Sequence, residues 1–175
     1  MPRFREVFRL ETFYATAAQL CFTLLGFWWA VVQFRHHDWM ADYGRRRMAY
    51  SLSLHFFLPG IMCLVALVPD DARLIWRITF GLSGLIGIIA TILVVTTTRD
   101  DTGNMRLIRV GQWLIAPLYA LVTLLAFFPE LVVASGINLK PLEVEGLTIG
   151  LLIFLGVNLA WTLLAEPTDL PGNEA

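Results

Sequence analysis

Seven residues near the start of the chain have the spacing most suggestive of chemistry. Thr12, Thr16, Gln19, Thr23, Gly26, Ala30 and Gln33 recur at alternating steps of four and three, which keeps side chains on one seam of an α-helix. The rest of that circumference is rich in Phe, Trp, Leu and Val, including Phe27, Trp28, Trp29, Val31 and Val32. Hydroxyls and amides aligned on so apolar a helix face something other than lipid, either protein or water. Facing water, they could replace part of an ion's hydration shell. The same register continued upstream passes through Arg5 and Arg9, and rings of arginine at a channel mouth favour anions. Facing protein, the same residues would form a packing seam, with interhelical hydrogen bonds worth about 0.6–2 kcal/mol each.

Other chemistry is sparse. His55 is the one histidine inside an apolar segment, so it is the candidate pH sensor if it meets water. His36 and His37 are adjacent and would project to different sides of a helix. A single interior imidazole cannot supply both axial ligands of a bis-histidine haem. The sequence therefore implies no metal site and no cofactor. It contains no HExxH, GxSxG or Walker-type motif, and its apolar segments show no interior Asp or Glu, with Glu11 and Glu166 standing at their ends. Neither a catalytic constellation nor the carboxylate relay of a pump is indicated. Cys21 and Cys63 fall in different apolar segments without a CxxC, and read as small packing residues.

The elements that must position these groups follow from composition. Of 175 residues, 57% are hydrophobic and 15% charged, and the mean hydropathy is +0.67. This is the balance of an integral membrane protein rather than a soluble domain. Five stretches satisfy the roughly 20 apolar residues that a bilayer crossing requires: Thr12–Phe34, Arg47–Val68, Leu74–Thr97, Leu107–Phe128 and Leu147–Ala165. The expected architecture is an all-α bundle of five transmembrane helices, forming a single domain over residues 1–175. A short amphipathic arm precedes it, in which Arg3, Arg5 and Arg9 alternate with Phe4, Val7 and Phe8. That N-terminus does not read as a secretory signal.

Within the spans, Pro59-Gly60 should bend the second. Gly81, Gly84 and Gly87 give the third a small-residue face for close helix approach. The fourth repeats a weaker polar line, Arg109, Gln112, Ala116, Tyr119 and Thr123, and the fifth carries Asn158 and Thr162. Both of these read as packing faces. Residues 129–146 read as the longest connection. Most tryptophans sit near expected membrane boundaries, as an interfacial belt would place them. In size and tryptophan count the chain is similar to small tryptophan-rich membrane proteins that bind porphyrins. It has no Trp-x-Pro-Pro segment, so no family is assigned on that ground.

Orientation is nearly balanced, with seven basic residues on one side of the five spans and six on the other. The triple arginine Arg45-Arg46-Arg47 and the acidic last connection favour an outside N-terminus. The functional expectation is a homo-oligomeric ion channel of the plasma membrane. The first span lines its path through Arg5, Arg9, Thr12, Thr16, Gln19, Thr23, Gly26, Ala30 and Gln33, with an anion preference. Its partners would be the lipid bilayer, further copies of itself and ions. No nucleic-acid partner is expected, and a net charge of −1 argues nothing either way. Two other classes use the same residues differently. An accessory subunit of a membrane complex would use the seam as a dry contact. A small carrier or enzyme for a lipid-soluble substrate would use His55, Gln112 and Arg109.

Overall fold

The structure, a computed structural model, describes residues 2–36, 39, 43–68, 73–97, 103–134, 136 and 139–165, with backbone alone at 2–9, 73, 97, 103–108 and 133. Among the described residues its longer helices are α1 (Pro2–Phe34), α2 (Tyr43–Ala66), α3 (Arg73–Thr97), α4 (Gly103–Phe127) and α6 (Pro141–Leu164), with the short α5 (Glu130–Ala134) before α6. Five of these, all but α5, are long and apolar enough to cross a membrane. The protein is an all-α membrane bundle. Residues 69–72, 98–102 and 166–175 lie outside the described residues.

Helix α2 is the most enclosed of the five and α1 the least. Helix α2 packs against α1, α3 and α6, while α4 closes the bundle between α3 and α6. The α3–α4 seam is the closest, and its cause is the glycine face. A Cβ at Gly81 would lie 2.7 Å from the Phe127 ring, one at Gly87 would lie 2.5 Å from the Tyr119 ring, and one at Gly84 would collide with Thr123 and approach the Tyr119 carbonyl to 2.9 Å. Large side chains of α4 therefore occupy the volume that α3 leaves open. Gly60 does the same for α1, where an added Cβ would come within 3.1 Å of Phe22 and 3.2 Å of Cys21. Pro59 lies inside α2, which continues to Ala66. Having no N–H, Pro59 cannot donate to the carbonyl of His55 one turn earlier.

The N-terminal arm is helical and continuous with α1. Its 33 residues span about 50 Å at 1.5 Å per residue, well beyond the roughly 30 Å of bilayer hydrocarbon. The first turns of α1 therefore project past the apolar layer. Arg77, at the start of α3, donates to the carbonyls of Ala126 and Phe127. It thereby caps the last turn of α4, where helix carbonyls lack intrahelical partners and a cation is favoured.

One boundary corrects the sequence reading. The last spanning helix begins at Pro141, not Leu147. Proline suits the first helical position because its missing N–H would have no partner there. The Glu143 carboxylate closes the turn by accepting from the Lys140 backbone N–H at 2.8 Å. The consequence is that Glu145 belongs to the helix and is 0% exposed, which overturns the expectation that the spans hold no interior acidic residue. A second correction concerns the tryptophans. Trp28 is buried and donates from Nε1 to the Ala49 carbonyl at 3.0 Å, and Trp39 packs beside it with ring centres 5.7 Å apart. These two tie the start of α2 to α1, whereas Trp29, Trp113 and Trp161 are exposed.

Candidate functional site

Helix α1 has two faces of different character. Its inward face carries Tyr14, Ala17, Ala18, Cys21, Leu25 and Trp28, all buried. Tyr14 is anchored by its hydroxyl, which donates to the Leu142 carbonyl of α6 at 2.6 Å. Its outward face carries the seam: Thr12, Thr16, Gln19, Thr23, Gly26, Ala30 and Gln33 are all exposed. A Cβ at Gly26 would meet nothing within 4 Å. The structure thus places every described seam residue on one face of one helix, turned away from the chain's own bundle. Arg5 and Arg9 share that helix by backbone, but their side chains lie outside the described ones.

The exposure of the seam sets an energetic problem. Elsewhere in the protein, Thr91, Thr96, Thr123, Thr148 and Thr162 each donate to the carbonyl four residues earlier, which spares a hydroxyl in an apolar setting. A glutamine is harder to satisfy, because its amide offers two donors and an acceptor with two lone pairs. Gln19 lies in the middle of the spanning part of α1, and among the described residues its side chain has no hydrogen-bond partner. Left against hydrocarbon, such an amide costs about 4–8 kcal/mol on the cyclohexane scale.

A second polar assembly lies inside the bundle. His55, near the middle of α2, places Nε2 3.2 Å from Oε1 of Gln112 on α4. Its ring centre is 5.8 Å from that of Tyr119. All three side chains are buried, at 1%, 1% and 0% exposure. Glycines make room on both sides: Gly87 of α3 under the Tyr119 ring, and Gly156 of α6, whose added Cβ would lie 3.5 Å from the Cβ of His55. The His55 Nδ1, the Tyr119 hydroxyl and the hydroxyl of Ser51, one turn before His55, have no protein hydrogen-bond partner. Arg109, half-buried on α4, lies one turn before Gln112. The buried face of α1 separates this centre from the seam, so the two do not form one site. His55 is enclosed by protein and stands off the seam.

Glu145 is the residue that sequence reasoning missed. Neither of its carboxylate oxygens has a hydrogen-bond partner. It lies on the turn of α6 against which α1 packs, where a Cβ on the neighbouring Gly146 would come 3.1 Å from Phe13 and 3.4 Å from the Tyr14 hydroxyl. The signal that could have found it was Pro141 with Glu143 two residues on, a helix-start pattern.

No protein-family model matches the chain, and neither does any curated protein or solved structure. Any functional reading therefore stands on the chain's own geometry.

Proposed function

We propose that the protein is the subunit of a homo-oligomeric ion channel in the plasma membrane, with α1 of each copy lining the path. The observation that carries this reading is the outward turn of the seam. Gln19 and the seam threonines are exposed on the outer face of α1, and a membrane helix with a polar outer face needs either a second protein surface or water against it. Repetition of one outward seam about a rotation axis supplies both, since closed rotational symmetry is the usual plan of homo-oligomers. The path would pass Thr12, Thr16, Gln19 and Thr23, then the slimmer zone at Gly26 and Ala30, and end at Gln33. The projecting first turns of α1 would hold Arg5 and Arg9 at one mouth, which favours anions.

The test is conductance of the purified protein in liposomes, together with its oligomeric state in nanodiscs. Gln19→Leu is expected to lower unitary conductance several-fold, and Arg9→Glu to reverse or erase anion preference. Currents indifferent to both substitutions, or a protein that is monomeric in nanodiscs, would defeat the proposal. Intersubunit crosslinking through Gln19→Cys in a protein that passes no current would leave the assembly standing and remove the channel, which is the accessory-subunit outcome.

A further inference from the structure

We infer that the His55–Tyr119 centre is a binding site for a hydroxyl group held at mid-bilayer depth between α2 and α4. This does not depend on the channel reading, because the centre and the seam lie on opposite sides of the buried face of α1.

The polarity of the site follows from one hydrogen bond. Oε1 of Gln112 can only accept, so the His55 Nε2 at 3.2 Å carries the proton and donates. The neutral imidazole then presents Nδ1 as a bare acceptor. The Tyr119 hydroxyl is a donor as well as an acceptor. Nδ1 and this hydroxyl both lack a protein partner, and they belong to rings whose centres are 5.8 Å apart. A hydroxyl is the group that serves both at once, since it donates to Nδ1 and accepts from Tyr119. A carbonyl or a simple anion accepts from Tyr119 but leaves Nδ1 unserved. A cationic donor serves Nδ1 and the Tyr119 oxygen but leaves the Tyr119 O–H proton without an acceptor.

Two further features point the same way. The Ser51 hydroxyl, also buried and unpartnered, lies one turn from His55 on the same helix and can extend the hydrogen-bonded set. Pro59, one turn on, has no N–H to give the His55 carbonyl. Buried polar atoms without partners are uncommon in folded proteins, and a group of them signals a bound molecule. The fixed glycine beds, Gly87 beneath Tyr119 and Gly156 beside His55, hold the two rings and preserve the arrangement.

The required chemistry has two sources, an ordered water or the hydroxyl of a lipid-soluble molecule. Nitrogen NMR of histidine-labelled protein in nanodiscs separates them, with the His55 signal assigned by its loss in His55→Asn. The expected spectrum shows the Nε2–H tautomer, with Nδ1 hydrogen-bonded and receiving magnetisation from a hydroxyl proton. In Tyr119→Phe, which keeps the ring on Gly87, that transfer should fall at least fivefold. If organic extraction releases one equivalent of a hydroxylated compound and abolishes the transfer, the occupant is lipid-soluble. If extraction releases none and the transfer originates from exchangeable water, the occupant is water. A proton on Nδ1, an Nδ1 without a hydrogen bond, or a transfer unchanged in Tyr119→Phe overturns the inference. The wild-type spectrum decides alone should Tyr119→Phe fail to fold.

Discussion

Helices α1 and α4 carry polar lines of the same spacing and put them to opposite use. On α1 the line from Thr12 to Gln33 faces outward, while on α4 Gln112 and Tyr119 are buried and Thr123 is half-buried. The difference lies in the neighbours. Helix α4 meets the glycine face of α3 on one side and α6 on the other, so Gln112 finds His55 and Thr123 its own backbone. Helix α1 packs chiefly against α2 and touches α6 around Phe13 and Tyr14, so its outer face is left without a partner in the bundle. Periodicity thus establishes that a helix has a distinct seam, but the number of partners around it decides whether the seam is core or surface.

The largest effect expected from this contrast is on the fold. Gly84→Ala would drive a Cβ into Thr123 and to 2.9 Å from the Tyr119 carbonyl, and a backbone atom cannot rotate away. Overpacking of this kind costs about 1–3 kcal/mol and occasionally more. Thermal unfolding in detergent should show a Tm lowered by several degrees. A Tm equal to that of the parent protein would mean that α3 and α4 are not so close.

The architecture was legible because it follows from length and apolarity. Five apolar stretches became five spanning helices, and the Gly81, Gly84 and Gly87 face did bring a neighbour close. Two features were not legible. Glu145 was hidden because a carboxylate near an acidic stretch reads as a loop, and only the Pro141 start assigns it to α6. The direct bond of His55 to Gln112 was hidden, although both belong to the set that a carrier or enzyme would use: the two stand 57 apart in sequence, and nothing local on α2 selects α4 as the partner. The orientation of the α1 seam could be stated only as a choice between protein and water. The structure removes the chain's own helices as its cover.

An intermediate effect is expected at the buried pair. Gln112→Leu leaves the His55 Nε2 donor without an acceptor, and a buried group stripped of its partner costs about 1–3 kcal/mol. His55→Leu combined with Gln112→Leu removes both ends and should recover part of that loss, giving a coupling of about 0.6–2 kcal/mol in the double-mutant cycle. Coupling indistinguishable from zero would show that the α4 line is merely enclosed rather than bonded, and would weaken the contrast with α1.

The smallest effect on the fold should come from the seam itself. Gly26→Ala adds a methyl group where nothing lies within 4 Å, and Gln19→Leu alters a side chain already outside the bundle. The first adds helix propensity worth up to about 1 kcal/mol, and the second, like most surface changes, shifts stability by no more than about 0.5 kcal/mol. The Tm of dispersed single copies should therefore fall for neither. If copies pack along α1, the same two changes should shift the distribution of oligomers in nanodiscs, because Gly26 is a point of close approach and Gln19 a point of hydrogen bonding. Equal sensitivity of Tm to Gly26→Ala and Gly84→Ala would erase the distinction between an outward and an inward seam. An altered assembly with an unaltered monomer is the result that only an intersubunit role for α1 explains.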